Sequence, residues 1–248
     1  MTTPLISIRD LHVRLGGEDI LRGVTTEIRR GKITSLIGLN GSGKTTFLRA
    51  VVKEIPYTGE IQFHCGHDHT HPEPAHVGYV PQKLNVDAHL PITVADLMAL
   101  ALQKRPLFFG IPRRLRDRMA RMLRDFGATP DLLHKPLTEI SGGQRQRALL
   151  ALAMEPQPEL LLLDEPAAAI DFQDVEKIYE LLHQVNEETG VTILLVSHDL
   201  SVVSKHSHHV LCLRDGKVQC EGAPETMLSG EMLTETFGPG AALFAHKH

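Results

Sequence analysis

The alternation of hydrophobic and polar positions divides the chain into short strands and amphipathic helices. Strands are predicted where apolar or alternating runs are bounded by turn residues, at 5–8, 11–15, 20–24, 33–37, 59–63, 76–80, 160–163, 191–196, 210–213 and 217–220. Helical spacing predicts helices at 46–52, from Thr93 onward, at 112–126 and at 174–186. Because residues 160–163 are all leucine, they are typical of a central strand in a parallel sheet. The order of elements predicts one domain with an inserted helical part, about residues 88–153.

Composition and charge narrow the class of protein. The chain has 248 residues, of which 42% are hydrophobic and 23% charged, as is ordinary for a globular protein with a sizeable core. The net charge of -4 argues against nucleic acid as a partner. No apolar run is long enough to cross a bilayer, and the first residues lack a signal-peptide pattern, so a cytoplasmic location is expected. The odd number of cysteines, without close pairing, predicts no disulfide framework for Cys65, Cys212 and Cys220.

The segment 38–45 fits the phosphate-binding pattern G-x-x-x-x-G-K-[ST] at each required position. A predicted strand precedes it and a predicted helix follows, which is the context that the motif needs. The glycines let backbone N–H groups point at phosphate oxygens, and the helix N-terminus adds partial positive charge. Lys44 is expected to reach the β- and γ-phosphates, and the Thr45 hydroxyl to ligate Mg²⁺. The residues expected around the phosphates are Gly38, Leu39, Asn40, Gly41, Ser42, Gly43, Lys44, Thr45 and Thr46.

Two carboxylates and a histidine follow later predicted strands. Asp164 and Glu165 come after the leucine run, where Asp164 is expected near Mg²⁺ and Glu165 is expected to polarise an attacking water. His198 follows the next strand, and open α/β sheets bind ligands at the carboxyl ends of their strands. Behind a phosphate loop, these residues predict a nucleotide-hydrolysing site.

The segment 140–147, Ile-Ser-Gly-Gly-Gln-Arg-Gln-Arg, is a second candidate for phosphate binding, because a Ser-Gly-Gly turn that opens a helix can bind an anion. With this segment included, the chain resembles the ATP-binding subunits of ABC transporters over nearly its whole length. The resemblance depends on the order of the phosphate loop, Ser-Gly-Gly-Gln, Asp-Glu-Pro and Ser-His-Asp. It implies a single domain over 1–248, with an α/β, RecA-like P-loop core, an antiparallel β subdomain and an inserted helical subdomain.

The resemblance also implies a head-to-tail homodimer that binds ATP between its two copies. Each ATP would lie between the phosphate loop of one copy and the signature segment of the other. The signature residues that would contact ATP in trans are Ser141, Gly142, Gly143 and Gln144. Asp171 matches an aspartate that crosses the dimer interface.

Catalytic roles follow from the same resemblance. Gln82 matches the glutamine that reaches Mg²⁺ and the attacking water, so the Mg²⁺ ligands implied are Thr45, Gln82 and Asp164. Glu165 matches the general base, and His198 matches the histidine that contacts the γ-phosphate. Where the family usually stacks adenine on an aromatic residue, this chain has a leucine at position 15, so apolar contact and weak selection of the base are expected.

Within the family, the resemblance is closest to the ATPases of bacterial zinc importers, and more widely of zinc/manganese importers. It rests on short segments at 79–87, 90–94, 196–200, 210–213 and 237–239. A histidine-rich loop, 64–76, is a separate indication, since imidazole and thiolate suit zinc. Its candidate ligands are His64, Cys65, His67, His69 and His71, and a solvated loop without metal is the alternative. His206, His208 and His209 are expected to face solvent.

The helical insertion is where partners are expected. Arginines within 113–124 form the polar face of an amphipathic helix, which faces either solvent or anionic headgroups. Apolar surface is offered by Leu97, Leu100, Leu102, Leu107, Phe108 and Phe109. The resemblance implies that part of the region after Gln82 receives a helix of a membrane permease. The ATPase would then lie at the cytoplasmic face of the membrane and meet a solute-binding protein only indirectly.

The function predicted from these patterns is ATP hydrolysis that energises an importer of zinc or a related divalent metal. The same machine importing manganese, iron or another solute is the nearest alternative. A soluble ABC ATPase outside transport is a second alternative. A metal-binding regulator without hydrolysis is a third, although it would require a damaged nucleotide site, and each hydrolytic position is present here.

Overall fold

The structure is a computed structural model that describes residues 3–65, 76–82, 90–168 and 170–237. The strands are β1 (Ile6–Leu15), β2 (Glu18–Ile28), β3 (Ile33–Ile37), β4 (Thr58–Phe63), β5 (Val77–Val80), β6 (Leu160–Asp164), β7 (Thr192–Val196), β8 (His209–Arg214) and β9 (Lys217–Gly222). The α-helices are α1 (Lys44–Val51), α2 (Val94–Leu102), α3 (Arg113–Asp125), α4 (Gly142–Met154), α5 (Phe172–Thr189), α6 (Leu200–His206), α7 (Pro224–Met227) and α8 (Gly230–Phe237). Short 3-10 helices lie at Leu107–Phe109 and Pro130–His134.

The described strands form two sheets. The larger has the order β5-β6-β7-β3-β8-β9, in which β9 is antiparallel to β8 and the other neighbours are parallel. In the smaller sheet, β1 pairs antiparallel with β2 and with β4. This arrangement confirms the predicted α/β fold with an antiparallel portion near the N-terminus.

The central strands are buried on both faces. Every residue of β3, β6 and β7 is buried, as the all-apolar runs predict. One hydrophobic cluster joins this sheet to α1 and the antiparallel sheet, and a second joins it to α4 and α5. The register pairs Leu36 of β3 and Asp164 of β6 with Val196 of β7. The carboxyl ends of these strands, and the loops that follow them, therefore meet at one edge of the sheet.

The helices α2, α3 and α4 share a hydrophobic cluster of their own. It includes Met98 of α2, Met119 and Leu123 of α3, and Ala148 of α4. Helix α2 begins with a capping box, in which the Thr93 hydroxyl accepts from the backbone N–H of Asp96 at 3.1 Å and the Asp96 carboxylate accepts from the Thr93 backbone at 3.0 Å. The helix predicted from Thr93 is thus confirmed.

The first strand corrects the prediction of two strands at 5–8 and 11–15. β1 is continuous, with an irregularity at Asp10, whose φ of 47° is left-handed. A Cβ added to Gly59 of the neighbouring strand would lie 2.1 Å from the carbonyl oxygen of Asp10. Only glycine fits there, so the bulge is fitted to its neighbour.

The expectation that the cysteines remain unpaired is wrong for two of them. Cys212 of β8 and Cys220 of β9 form a disulfide. The turn between these strands is Asp215-Gly216, one residue shorter than predicted, and a register shift after Cys212 brings Cys220 directly opposite it. The third cysteine, Cys65, is partly buried.

The expectation that three histidines near β8 face solvent is also wrong. His206 and His209 are only 8% and 3% exposed, and His208 is partly buried. The Nε2 atom of His206 lies 3.0 Å from a carboxylate oxygen of Glu176, and the Nδ1 atom of His208 accepts from the backbone N–H of Ile33 at 3.1 Å. These imidazoles complete the packing between β3, β8 and α5.

Candidate active site

The phosphate loop lies between β3 and α1, as predicted. Its lysine is buried, and the Lys44 Nζ atom donates to the carbonyl oxygens of Gly38 at 2.9 Å and Leu39 at 3.0 Å. Burial lowers the pKa of Lys44, whereas the nearby carboxylates of Glu165 and Asp164 act to raise it. The lysine therefore sits inside its own loop, next to two acids at the end of β6.

Close packing explains the glycines of this loop. A Cβ on Gly38 would lie 2.3 Å from the carbonyl oxygen of Leu213, and Gly43 has a φ of 102°. The hydroxyl of Ser42 is buried and has no hydrogen-bond partner among the described residues. Such an atom fits a loop whose polar groups bind a ligand oxygen.

Asp164 ends β6 in a buried position beside the phosphate loop. Its pKa is raised, chiefly by burial and also by the neighbouring Glu165, while a hydrogen bond from Thr45 and the charge of Lys44 act in the opposite direction. The Thr45 hydroxyl and the Asp164 carboxylate are thus in contact. The contact is the one expected of two residues that share a magnesium ion.

Two other predicted residues, Gln82 and His198, lie close to the carboxylate of Glu165. Its carboxylate oxygen Oε2 accepts from the Nε2 atom of Gln82 at 2.6 Å and lies 3.7 Å from Nδ1 of His198. The backbone of Glu165 is left-handed, with a φ of 49°, and its N–H donates to the carbonyl oxygen of Val196 at 3.1 Å. A non-glycine residue in this conformation is typical of functional sites.

The loop that carries His198 is held in place by hydrogen bonds from residues that the sequence analysis did not identify. The Tyr179 hydroxyl of α5 donates to Ser197 Oγ at 3.0 Å, and that atom accepts from the backbone N–H of Asp199 at 3.2 Å. Burial raises the pKa of Tyr179 to about 12, so the phenol keeps its proton as a donor. From the sequence, the position of Tyr179 in an amphipathic helix predicts only that it is buried in the core.

These side chains line one open cleft of about 700 Å³. The residues that line it are Ile20, Asn40, Gly41, Gly43, Lys44, Thr45, Thr46, Gln82, Glu165 and His198. Ile20 was not predicted to be there. Leu15, the predicted adenine contact, is partly buried against the core and is not among the lining residues described.

The signature segment is a helix N-terminus outside this cleft. Ser141 caps α4, and its hydroxyl accepts from the Gln144 backbone N–H at 3.2 Å, while the Ser141 backbone N–H donates to Gln144 Oε1 at 3.1 Å. Gly142 and Gly143 form the first turn of the helix. Asp171 precedes α5 and is exposed, without a side-chain capping bond. None of these residues is among the described lining of the cleft.

The histidine-rich loop lies mostly outside the described residues. His67, His69 and His71 fall there, so their role stays a prediction. Of the others, His64 Nε2 is 2.9 Å from the Ser7 hydroxyl, and Cys65 is partly buried against the core. No group of three or more His, Cys, Asp or Glu in the described parts of the chain is arranged to hold a metal ion.

Comparison with known proteins decides the family. A profile of the ABC transporter family matches residues 21–168, a range that includes the phosphate loop, the signature segment and the two carboxylates. This chain belongs to the ABC transporter family. The family match, together with the relatives described next, identifies it as an ATPase of that family.

Relatives of this ABC ATPase align with nearly all of it. The zinc import ATP-binding protein ZnuC of Ruegeria pomeroyi is 37% identical over 251 residues, covering 100% of this chain and 90% of that protein. ZnuC of Rhizobium meliloti is 38% identical, covering 100% of this chain and 77% of that protein.

Solved structures show that the ABC ATPase has the family fold. A dimeric bacterial ABC transporter cassette, MJ0796, is 28% identical with a TM-score of 0.72, covering 88% of this chain and 98% of that one. A putative metal-chelate type ABC transporter in an inward-facing conformation shares the fold, with 24% identity, a TM-score of 0.78, and coverage of 95% and 89%. No helix in the described part of the ABC ATPase is long and apolar enough to span a bilayer.

Proposed function

We propose that this ABC ATPase energises a membrane importer of zinc or a related divalent metal. The observation that supports hydrolysis is the convergence of Gln82 and His198 on the Glu165 carboxylate at the mouth of the phosphate-loop cleft. Similarity over the full chain to proteins named as zinc import ATPases supports the choice of metal. Manganese or iron as the solute remains the competing proposal, and the growth experiment below distinguishes them.

ATP and Mg²⁺ would bind in the cleft described above. The phosphate loop would surround the β- and γ-phosphates with backbone N–H groups, with the ammonium of Lys44 among them. Oxygen donors suit Mg²⁺, and the Thr45 hydroxyl, the Asp164 carboxylate and the Gln82 amide oxygen are the donors at hand. Burial disfavours the charged carboxylate of Asp164, so a bound cation would relieve a cost that the empty chain bears.

Hydrolysis would use Glu165 as a general base. The carboxylate accepts a proton from water as the water oxygen attacks the γ-phosphorus and the bond to the β-phosphate oxygen breaks. His198 would contact the γ-phosphate, and Gln82 would orient the water. The left-handed backbone of Glu165 and the bond from its N–H to Val196 fix the direction of the carboxylate.

A second copy would complete the site. The turn at Ser141 to Gln144 opens α4, whose N-terminal N–H groups can bind a phosphate in trans. A Cβ on Gly143 would meet only Ile170, at 3.9 Å, so an approaching phosphate has room. Asp171, exposed before α5, would lie at the same dimer interface. In this arrangement ATP joins the two copies and its hydrolysis releases them.

The partners of the dimer would be membrane permease subunits, with a solute-binding protein engaged only through them. The inserted helical subdomain, 88–153, would receive a helix of the permease near Gln82, which connects the active site to that subdomain. Leu100 is 59% exposed on α2 and offers an apolar contact there. The ATPase would then lie peripherally at the cytoplasmic face of the membrane. Adenine would pack on Ile20 or Leu15 by apolar contact, without ring stacking.

Replacing the base tests the catalytic proposal. In Glu165→Gln, hydrolysis should slow about 10²–10⁴-fold because the proton acceptor is lost, while ATP binding persists and the dimer accumulates. ATP turnover and nucleotide-dependent dimerisation by light scattering measure the two effects. Glu180→Gln, at an exposed position on α5, is the control and should turn over normally. Undiminished turnover in Glu165→Gln would refute the role.

Growth tests the transport proposal. A strain lacking this gene should need added zinc, and the wild-type gene should restore growth in zinc-poor medium. Lys44→Ala should fail to restore it, because the phosphate loop loses its cation, while Lys177→Ala at an exposed position of α5 should succeed. Rescue of the deletion strain by manganese or iron in place of zinc would reject zinc as the solute.

A further inference from the structure

The connection between α2 and α3 presents two aromatic side chains to solvent. Phe108 and Phe109 are 81% and 63% exposed, and their ring centroids are 4.1 Å apart. They belong to the 3-10 helix Leu107–Phe109, in which the Phe109 N–H donates to the carbonyl oxygen of Pro106 at 3.2 Å. The pair is therefore held outward by a hydrogen-bonded turn.

Positive charge is concentrated in this connection and the first turn of α3, between the acids Asp96 and Asp117. Between positions 97 and 116 the chain contains no aspartate or glutamate, and the cations there are Lys104, Arg105, Arg113, Arg114 and Arg116. All five are exposed. The whole chain has a net charge of -4, so this positive segment stands out against the charge of the rest. We refer to residues 104–116 as the basic–aromatic turn.

The side chains of these cations are exposed to solvent. Among the described residues, none of the five forms an ion pair, whereas the later Arg118 pairs with Glu155. The guanidinium of Arg105 lies over the ring of Phe109, 5.5 Å from its centroid. Within the described residues, these cations are therefore accessible to an external anion, and the guanidinium of Arg105 lies directly at the aromatic pair.

Helix α3, which follows the aromatic pair, packs one face against the protein interior. Met119, Met122 and Leu123 of α3 are buried in the cluster shared with α2 and α4. The apolar face of α3 is consequently used by the core, whereas Arg113, Arg114 and Arg116 are exposed. Phe108 and Phe109 are the large apolar side chains at the outward surface of the basic–aromatic turn.

We propose that the basic–aromatic turn binds the anionic surface of the lipid bilayer directly. Exposed aromatic rings beside a cluster of cations match an interface where headgroups are negative and the acyl boundary is apolar. Aromatic side chains and arginine are also enriched at protein interfaces, so a protein partner is the competing occupant, and the vesicle experiment separates the two. This contact goes beyond the proposed function, since it would hold the ATPase at the membrane without a permease, ATP or transported metal.

A tryptophan reporter tests the proposal with the full chain. The sequence contains no tryptophan, so Phe108→Trp introduces a single fluorophore at the exposed ring. The variant is titrated with vesicles of phosphatidylcholine alone and of phosphatidylcholine mixed with phosphatidylglycerol. The emission should shift to the blue with the anionic vesicles only, and the shift should fade as salt screens the charges. Thr58→Trp, exposed on β4, is the matched control and should not respond.

Charge removal provides a second measurement. Arg113→Gln and Arg114→Gln should each weaken partitioning onto anionic vesicles by about fivefold, since each basic residue near such a surface contributes to binding. Lys217→Gln, exposed on the distant hairpin, should leave it unchanged. Circular dichroism confirms that each variant is folded.

Three outcomes would overturn the proposal. One is a Phe108→Trp spectrum that anionic vesicles leave unchanged in a folded protein. Another is an equal response from Thr58→Trp. The third is a response seen only when the vesicles contain the permease, which would assign the turn to a protein contact. None of these outcomes bears on hydrolysis or on zinc, which Glu165→Gln and the growth experiment test separately.

Discussion

At the end of β6, the carboxyl group of Asp164 is buried beside a second carboxylate, that of Glu165. Burial and this neighbour raise the pKa of Asp164 above its usual 3.8. An acid with a raised pKa stabilises the folded chain most at low pH, and that contribution is lost as the pH rises through the folded-state pKa. Ionisation of Asp164 therefore costs the folded chain stability, because burial disfavours the charged carboxylate.

Asp164→Asn should raise the unfolding temperature of the nucleotide-free protein at neutral pH and abolish Mg²⁺-dependent hydrolysis. The amide oxygen can still accept from Thr45, while the disfavoured charge is removed. The gain in stability should shrink toward acid pH, where the wild-type carboxyl is protonated. Thermal unfolding over a pH series and an ATPase assay measure both effects. Asp131→Asn at an exposed position should change neither, and a variant less stable than wild type at neutral pH would contradict the argument.

The residues proposed to bind and hydrolyse the nucleotide were predictable, whereas those that support them were not. Lys44, Asp164 and Glu165 lie in short motifs whose spacing alone fixes their relation to a strand end. Tyr179 contacts Ser197 across the fold, 18 positions away, and its helical spacing indicates only a core position. Ile20 enters the cleft because of the packing of β2 on the phosphate loop, which no local pattern encodes.

At the scale of secondary-structure elements, the start of helix α2 is determined by a capping motif in the local sequence. Thr93 caps it with a reciprocal pair of hydrogen bonds to Asp96. The 3-10 helix Pro130–His134 begins after another threonine, Thr129, which makes no side-chain capping bond. The two positions form a natural comparison.

Thr93→Ala should lower the free energy of unfolding by about 0.5–2 kcal/mol, because the N-terminal N–H groups of α2 lose their acceptor. Thr129→Ala should change it little. Urea unfolding monitored by circular dichroism gives both values. Equal losses in the two variants would show that the cap contributes nothing specific.

Element boundaries were predictable to within a few residues, but register was not. The two strands of the β8–β9 hairpin were predicted at 210–213 and 217–220, whereas the irregularity after Cys212, which places Cys220 opposite it, was not. The bulge at Asp10 likewise depends on the glycine at position 59 in another strand. Both features are tertiary, so patterns within a single strand do not reveal them.

At the scale of the whole molecule, buried imidazoles tie stability to pH. Burial, the ammonium of Lys32 and the imidazole of His183 lower the pKa of His208, while Glu187 acts to raise it. The pKa of His209 is lowered as well, chiefly by burial and then by Arg29, with Glu221 opposing. A depressed histidine pKa gives stability that is complete above the usual 6.5 and is lost as the pH falls through the folded-state pKa.

The protein should therefore lose stability as the pH falls below about 6.5. His208→Asn should reduce the pH dependence, because its amide oxygen can accept from Ile33 as the imidazole does but cannot take up a proton. His134→Asn at an exposed position should leave the dependence as in wild type. Chemical unfolding at several pH values measures it. An unchanged slope in His208→Asn would contradict the assignment to that residue.

One chain was predicted to hold only part of the nucleotide site, and this stays a prediction. The order of motifs indicated the family, yet the signature turn at Ser141 lies outside the cleft that Lys44 and Glu165 line. Motif spacing along one sequence gives no distance between two copies. For that reason the catalytic arrangement of the dimer stays a proposal, tested by Glu165→Gln.

The short hydrogen bond between the Gln82 amide and the Glu165 carboxylate would affect when ATP is hydrolysed. That amide occupies one lone pair of Oε2, so it competes with water for this oxygen of the proposed base. In the chain, Gln82 precedes the helices that a permease would contact. A shift of those helices would move the glutamine and break its hydrogen bond to Glu165, which would leave the carboxylate oxygen available to water. ATP hydrolysis would then require contact with the permease. A subunit separated from its permease would hydrolyse little ATP.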